Sequence, residues 1–252
     1  MSKYNFETKR GLAYYFFEGN KNKNVNIVFI HGTGCNKDFL VSTRDVLTDY
    51  NVYYFDLPGH GDSKDTGYSL ENYLDAIEDF IKDIPNVILV GHSLGGSLTI
   101  GTLARKPKTV IGGLSIGGAL NFNYLPEEFI KGVHNGIIDK KLVFDGFGHK
   151  DNQDVLDSID AMEPDEVTLK DWLIDEKLDV SSGIEDITVP TKILVGRDDF
   201  LVPIEKSEEI ASRIPDASLT IVNKGFHMIV VAFKQYVKYL VDQIVFETGF
   251  HK

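Results

Sequence analysis

Six short runs rich in β-branched and aromatic residues constrain this chain most: VNIVFI (25–30), NVYYFD (51–56), NVILV (86–90), TVIGGL (109–114), TKILV (191–195) and SLTIV (218–222). Each is bounded by turn residues, and helical periodicity fills most of the intervals between them. Continuous apolar runs of this length suit strands buried on both faces. Their alternation with helices therefore predicts an α/β fold, a mostly parallel sheet covered on both sides. Two earlier stretches, YNFETK and LAYYFFEG, read as an opening antiparallel hairpin that turns at Arg10 and Gly11.

The helices are legible in outline. Ser69 is placed to cap a helix in which Leu70, Leu74, Ile77, Ile81 and Ile84 step by four and three, an apolar stripe that should stop at Pro85. Pro203 suits the first turn of another, expected to end before Pro215. A last helix carries Phe233, Val237, Leu240 and Ile244 on one face. These stripes are read as core-facing.

The alternation fails once. Residues 119–186 contain no good strand but hold Pro126, many acids and an amphipathic piece around Leu169, Trp172 and Leu173. So long a strandless stretch inside a compact domain is expected to form helices of its own and to do a local job. The expectation is one α/β core, built from 1–118 and 187–252, with a helical cap inserted at 119–186. A chain of 252 residues, 42% hydrophobic and 25% charged, has the size and composition for that single unit.

Charge narrows the partners. A net charge of -12 repels both phosphate backbones and anionic lipid, so neither nucleic acid nor a membrane surface is expected, and a small-molecule substrate is. The opening MSKYNFETKR has no apolar h-region, and the longest uninterrupted apolar run, 228–233, is too short to span a bilayer. A soluble, cytoplasmic protein is expected. Cys35 is the sole cysteine, which excludes an internal disulfide and a multi-thiolate metal site. The seven histidines lack metal-binding spacings, so no metal or other cofactor is expected. Oligomeric state is not readable from the sequence.

The pattern G-x-S-x-G occurs twice, in GHSLGG (91–96) and GLSIGG (113–118). Glycine and serine each make up roughly 7% of average sequences, so a chance match arises on the order of 0.1 times in a chain this long and the pattern alone decides little. Context separates the two. A nucleophilic serine needs a strand that turns sharply and runs straight into a helix, because that geometry lifts its Oγ clear beside a helix N-terminus. Ser93 has NVILV before it and the helical LGGSLTIGTLARK after it. Ser115 also follows a strand, but the GGALNFNYLP after it reads as a loop. Ser93 is the predicted nucleophile, and Ser115 closes the next strand.

Five pieces in order, HGTG (31–34), DLPGHGDS (56–63), GHSLGG, GRDDFLVP (196–203) and GFH (225–227), resemble the α/β-hydrolase family over nearly the whole chain. The resemblance implies an eight-stranded sheet, an acid after the seventh strand and a histidine after the eighth. It assigns His227 as the base that takes the Ser93 proton. GRDDFLVP offers Asp198 and Asp199 as the acid that orients the imidazole, and the family pattern lands on Asp199. For the oxyanion it implies the backbone N–H groups of Leu94 and Thr33, with Gly34 in reserve. Cys35, next to that loop, either lines the pocket or is a small buried hydrophobe.

His31 and His60 are expected to make structural hydrogen bonds in turns, and His92 to shape the strand end. His134, His149 and His251 receive no role. Phe122, Tyr124, Phe129, Phe144, Phe147 and Trp172 either enclose an apolar acyl or aromatic group or form the core of the cap itself. The expected activity is cofactor-free hydrolysis of a small to medium carboxylic ester or thioester through an acyl-enzyme. Carbon–carbon bond hydrolysis, acyl transfer, lyase or haloperoxidase chemistry, and ligand binding without turnover, are the competing expectations.

Overall fold

Eight strands join in one sheet: β1 (Ser2–Thr8), β2 (Gly11–Glu18), β3 (Asn26–Ile30), β4 (Asn51–Phe55), β5 (Val87–His92), β6 (Val110–Ile116), β7 (Thr191–Gly196) and β8 (Ala217–Val222). The computed structural model describes residues 1–8, 11–19 and 23–250. Arg10, half of the predicted hairpin turn, and His251 lie outside the described residues. The order across the sheet is β1-β2-β4-β3-β5-β6-β7-β8. β1 pairs antiparallel with β2 and β2 with β4, and every other pairing is parallel.

The sheet buries both faces, as the strand sequences require. Val28, Ile30, Val87 and Leu89 enter the core on one side, while Ile27, Phe29, Ile88 and Val90 enter the core on the other. This is the period of two expected of a strand. Each fully buried side chain of this kind contributes about 1.5–3 kcal/mol.

On the first face lie α1 (Leu70–Ile81), α2 (Leu94–Ala104) and α7 (Ile204–Arg213). The second is covered by a 3-10 helix (Lys37–Asp45), α8 (Ile229–Ala232) and α9 (Lys234–Thr248). Ser69 caps α1 by accepting the Asn72 N–H. The helix stops at Ile81 rather than continuing through Ile84 to Pro85, and Ile84 N–H closes a tighter turn on the Ile81 carbonyl. The ring of a proline drives the preceding residue out of the helical region, so the last turn unwinds ahead of it.

Between β6 and β7 the chain forms α3 (Glu127–His134), α4 (Lys140–Phe147), α5 (Gln153–Asp160) and α6 (Asp165–Asp175). The strand-like feature among them is an isolated bridge between Asn121 and Asp179. The buried face of α6 consists of Val167, Thr168, Asp171, Ile174 and Asp175, while Leu169, Trp172 and Leu173 pack partly buried against the core. Two aspartates inside a buried helical face require partners elsewhere in the fold.

From β3 the chain moves outward to β4 and then returns to the other side of β3 as β5. The carboxyl ends of β3 and β5 therefore open a crevice between them, the place where open α/β sheets bind ligands.

Candidate active site

Ser93 stands at that crevice with no spacer between strand and helix, since β5 ends at His92 and α2 begins at Leu94. Its backbone is held at φ 57° and ψ -123°, a conformation that costs a non-glycine residue about 1–3 kcal/mol. The surrounding structure enforces it. Ser93 N–H bonds the Ile116 carbonyl on β6 at 2.8 Å, and the Ser93 carbonyl accepts the Ser97 N–H at 3.1 Å. A Cβ on Gly91 would fall on the Gly95 carbonyl, and one on Gly95 would fall on the Ile30 carbonyl. The two glycines flanking the serine are thus required by close backbone approach.

His227 follows β8 and comes back over the sheet, with its N–H on the Gly146 carbonyl at 3.2 Å. Its Nδ1 lies 2.7 Å from Asp199 Oδ2, and both side chains are buried. A carboxylate only accepts, so Nδ1 carries a proton and donates it to Asp199. Asp199 Oδ1 accepts the N–H groups of Leu201 and Val202 at 3.0 and 2.9 Å, which fixes the carboxylate. The neighbouring Asp198 is exposed.

The imidazole of His227 stacks near Phe147 and sits 4.7 Å from the ring of His92. His92 Nε2 donates to the His227 carbonyl at 3.0 Å. Burial, with His227 alongside, pushes His92 down to about 3, so it stays uncharged. Ser93 and His227 line one cavity of about 160 Å³, together with Thr33. No hydrogen bond between Ser93 Oγ and the imidazole is closed among the described residues. Catalytic hydrogen bonds often tighten only with substrate in place.

The loop after β3 packs Gly32 against Ser93 and puts Thr33 on the cavity that Ser93 lines. Gly34 N–H is occupied, donating to Asp171 Oδ2 at 2.8 Å. The N–H groups of Thr33 and Leu94 take no protein acceptor among the described residues. Cys35 faces the hydrophobic core rather than the cavity, and burial pushes its thiol up.

Sequence reasoning missed two residues that hold this loop. Asp171, fully buried on α6, accepts from Gly34 N–H, from Tyr73 OH at 2.7 Å and from His60 Nε2 at 2.9 Å. Burial pushes its carboxyl up, but the His60 charge and the donated bonds outweigh burial and hold it below the ordinary carboxylate range. Burial likewise pushes His60 down, and Asp171 outweighs it in raising the imidazole. Asp175, one turn later, accepts the Thr33 hydroxyl at 2.6 Å. The signal available in the sequence was a pair of acids at i and i+4 on a face otherwise made of Val167, Thr168 and Ile174.

Breaking such a pair from one side leaves a buried charge alone, so Asp171→Ala is expected to cost about 3–5 kcal/mol in denaturant unfolding. A loss below about 1 kcal/mol would show that the pair is not what holds the loop. The pH dependence has two limbs. The share from the lowered Asp171 disappears as pH falls through its folded value, and the share from the raised His60 disappears as pH rises through its own.

The model of the alpha/beta hydrolase family matches residues 27–233. A proline iminopeptidase of Saccharolobus solfataricus is 26% identical, over 92% of this chain and 89% of its own length. A pimeloyl-[acyl-carrier protein] methyl ester esterase of Shewanella oneidensis is 27% identical, over 83% of this chain and 87% of its own. Among solved structures, a lipase-esterase related protein of Clostridium acetobutylicum superposes with a TM-score of 0.87 at 26% identity, covering 92% of this chain and 99% of that one.

Proposed function

The chain belongs to the alpha/beta hydrolase family, and we propose that it cleaves a small to medium carboxylic ester or thioester through a Ser93 acyl-enzyme. The observation that carries this is the 2.7 Å bond from His227 Nδ1 to Asp199, which leaves Nε2 as the ring nitrogen available to the Ser93 hydroxyl at the cavity both residues line. Esterase and lipase-esterase names among the relatives support the ester as the bond cleaved.

In this reading Ser93 Oγ attacks the carbonyl carbon while His227 Nε2 takes its proton. The Thr33 and Leu94 N–H groups hold the oxyanion, each worth about 2.7–4 kcal/mol of barrier. As the carbonyl re-forms, the bond to the alcohol or thiol breaks and the leaving group takes the proton from His227. Water repeats the sequence on the acyl-enzyme and frees Ser93. No cofactor enters these steps.

Residues 119–186 act as a cap over this chemistry. Phe122, Phe144, Phe147 and Trp172 line the cavity, whereas Phe129 packs edge-on against Trp172 at 4.8 Å. The aromatics thus divide between enclosing substrate and supporting the wall. A dry cavity of about 150 Å³ holds a benzene, so a short acyl or single aromatic group suits the space. Among the described residues no helix is long and apolar enough to cross a membrane, and the net charge of -12 favours a small-molecule partner over nucleic acid or anionic lipid.

Two measurements test the reading together. A fluorophosphonate is expected to label the protein rapidly, with the adduct mapping to Ser93. In a panel of esters, thioesters and a prolyl anilide, short-chain esters or thioesters are expected to turn over fastest. An inert protein that is merely stabilised by ligands would replace the enzyme with a binding protein. Faster cleavage of the anilide would replace ester with amide.

A further inference from the structure

Ester cleavage leaves Asp175 unexplained. It is fully buried, lines the cavity with Ser93, and gives only one carboxyl oxygen, Oδ2, to Thr33. Oδ1 is buried and meets no partner among the described residues. Trp172 lies three residues earlier, on a neighbouring position of the same helix, and lines the same cavity. Its Nε1–H is also buried without a partner. Buried polar atoms are nearly always hydrogen-bonded, and each orphan costs about 1–3 kcal/mol. Two on neighbouring positions of the wall of one substrate cavity call for a group that the substrate brings.

Their chemistry says which group. Burial, with the Asp171 charge one turn away, pushes the Asp175 carboxyl well above the ordinary range, which favours its neutral form. The Thr33 hydroxyl is bonded to Oδ2, which leaves Oδ1 open, a donor where it carries the proton and an acceptor where Oδ2 carries it. Trp172 Nε1–H needs an acceptor and Asp175 Oδ1 takes a partner of either kind, so a group that both donates and accepts satisfies the two. An anion would be repelled by Asp171, Glu163 and Asp165, the last two lining the same cavity. An ammonium group has no lone pair to give the indole N–H. A neutral hydroxyl fits.

Its position follows from Thr33. In the reading above, this residue gives its N–H to the reacting carbonyl, and its hydroxyl bonds Asp175. The subsite is therefore one residue away from the scissile bond. We infer that Asp175 and Trp172 form a subsite for a hydroxyl on the second or third acyl carbon, making short hydroxyacyl esters the preferred substrates. This rests on the serine-esterase reading for the carbonyl's position.

The test compares matched ethyl esters: 2- and 3-hydroxybutanoate against 2- and 3-methylbutanoate, in which methyl replaces hydroxyl. At least one hydroxy ester is expected to exceed its methyl partner about tenfold or more in kcat/KM, since a polar site left unpaired discriminates strongly. Asp175→Leu and Trp172→Phe should bring that ratio towards one, while Asp175→Asn, which retains an N–H donor, should keep part of it. Using a ratio cancels losses of folded protein, and Trp172→Phe decides if Asp175→Leu does not fold.

The same pairs are titrated onto Ser93→Ala protein, where the hydroxy ester should bind about tenfold more tightly without being consumed. Hydrolysis of all four esters with wild-type ratios near one would overturn the subsite and leave the esterase standing. Absence of hydrolysis would remove the esterase, and the binding ratio would still decide the subsite. Tighter binding of ethyl 3-aminobutanoate than of its hydroxy analogue would mean an ionised Asp175 that selects ammonium, and would also overturn it.

Discussion

Ser93→Ala is expected to lower ester turnover by on the order of 10⁴- to 10⁶-fold, while Ser115→Ala keeps most of the wild-type rate. Both serines sit in the same five-residue pattern, and their surroundings separate them. Ser93 occupies the strained turn between β5 and α2 and lines the cavity that His227 lines. Ser115 lies within β6, fully buried, with an Oγ that meets no partner among the described residues. Removing an unpartnered hydroxyl from the core leaves no orphaned group behind, so its loss should be nearly neutral for stability as well. Initial rates on a good ester, normalised to folded protein, check both variants. Full activity in Ser93→Ala, or its loss in Ser115→Ala alone, would reverse the assignment of the nucleophile.

Asp199→Asn is expected to lower kcat by about 10⁴-fold, with Asp198→Asn close to wild type. Asp199 uses its two oxygens differently: Oδ1 accepts from Leu201 and Val202, and Oδ2 accepts from His227 Nδ1. An asparagine that keeps its carbonyl on the two backbone donors must turn its amide N–H₂ towards the imidazole. Donor then faces donor, the proton moves to Nε2, and the ring has no lone pair left for the Ser93 hydroxyl. The fold need not change for the rate to collapse. Asp198 points to solvent, and its substitution touches none of these bonds. Comparable losses in the two variants would mean that the orienting acid has been misidentified.

The difference between the two aspartates shows how far the sequence reached. GRDDFLVP puts two acids in the turn just past β7, and the family pattern favours the second of them. That narrows the choice without making it. Which of them faces the imidazole depends on where the loop after β8 returns, and the structure brings His227 to Asp199 from 28 positions away. The histidines divide in the same way. His60 was legible as a turn residue in PGHG, but its partner Asp171 lies 111 positions further on, in a segment with no motif. The early stop of α1 was decided locally, by the backbone restriction ahead of Pro85.

By itself, the sequence determined what neighbours along the chain determine. The period of two and the period of 3.6 select strand and helix, and glycines two residues either side of a serine admit the tight turn, because these are steric facts about contacts a few residues apart. Tertiary structure alone decided what crosses the molecule. Thr33 meets Asp175 across 142 positions and Gly34 meets Asp171 across 137, so the inserted helix grips the loop beside Ser93 and leaves one carboxyl oxygen and one indole N–H unpaired on residues that line the cavity. Desolvation gives those contacts their force, and a residue's solvent exposure is set only when distant segments pack together.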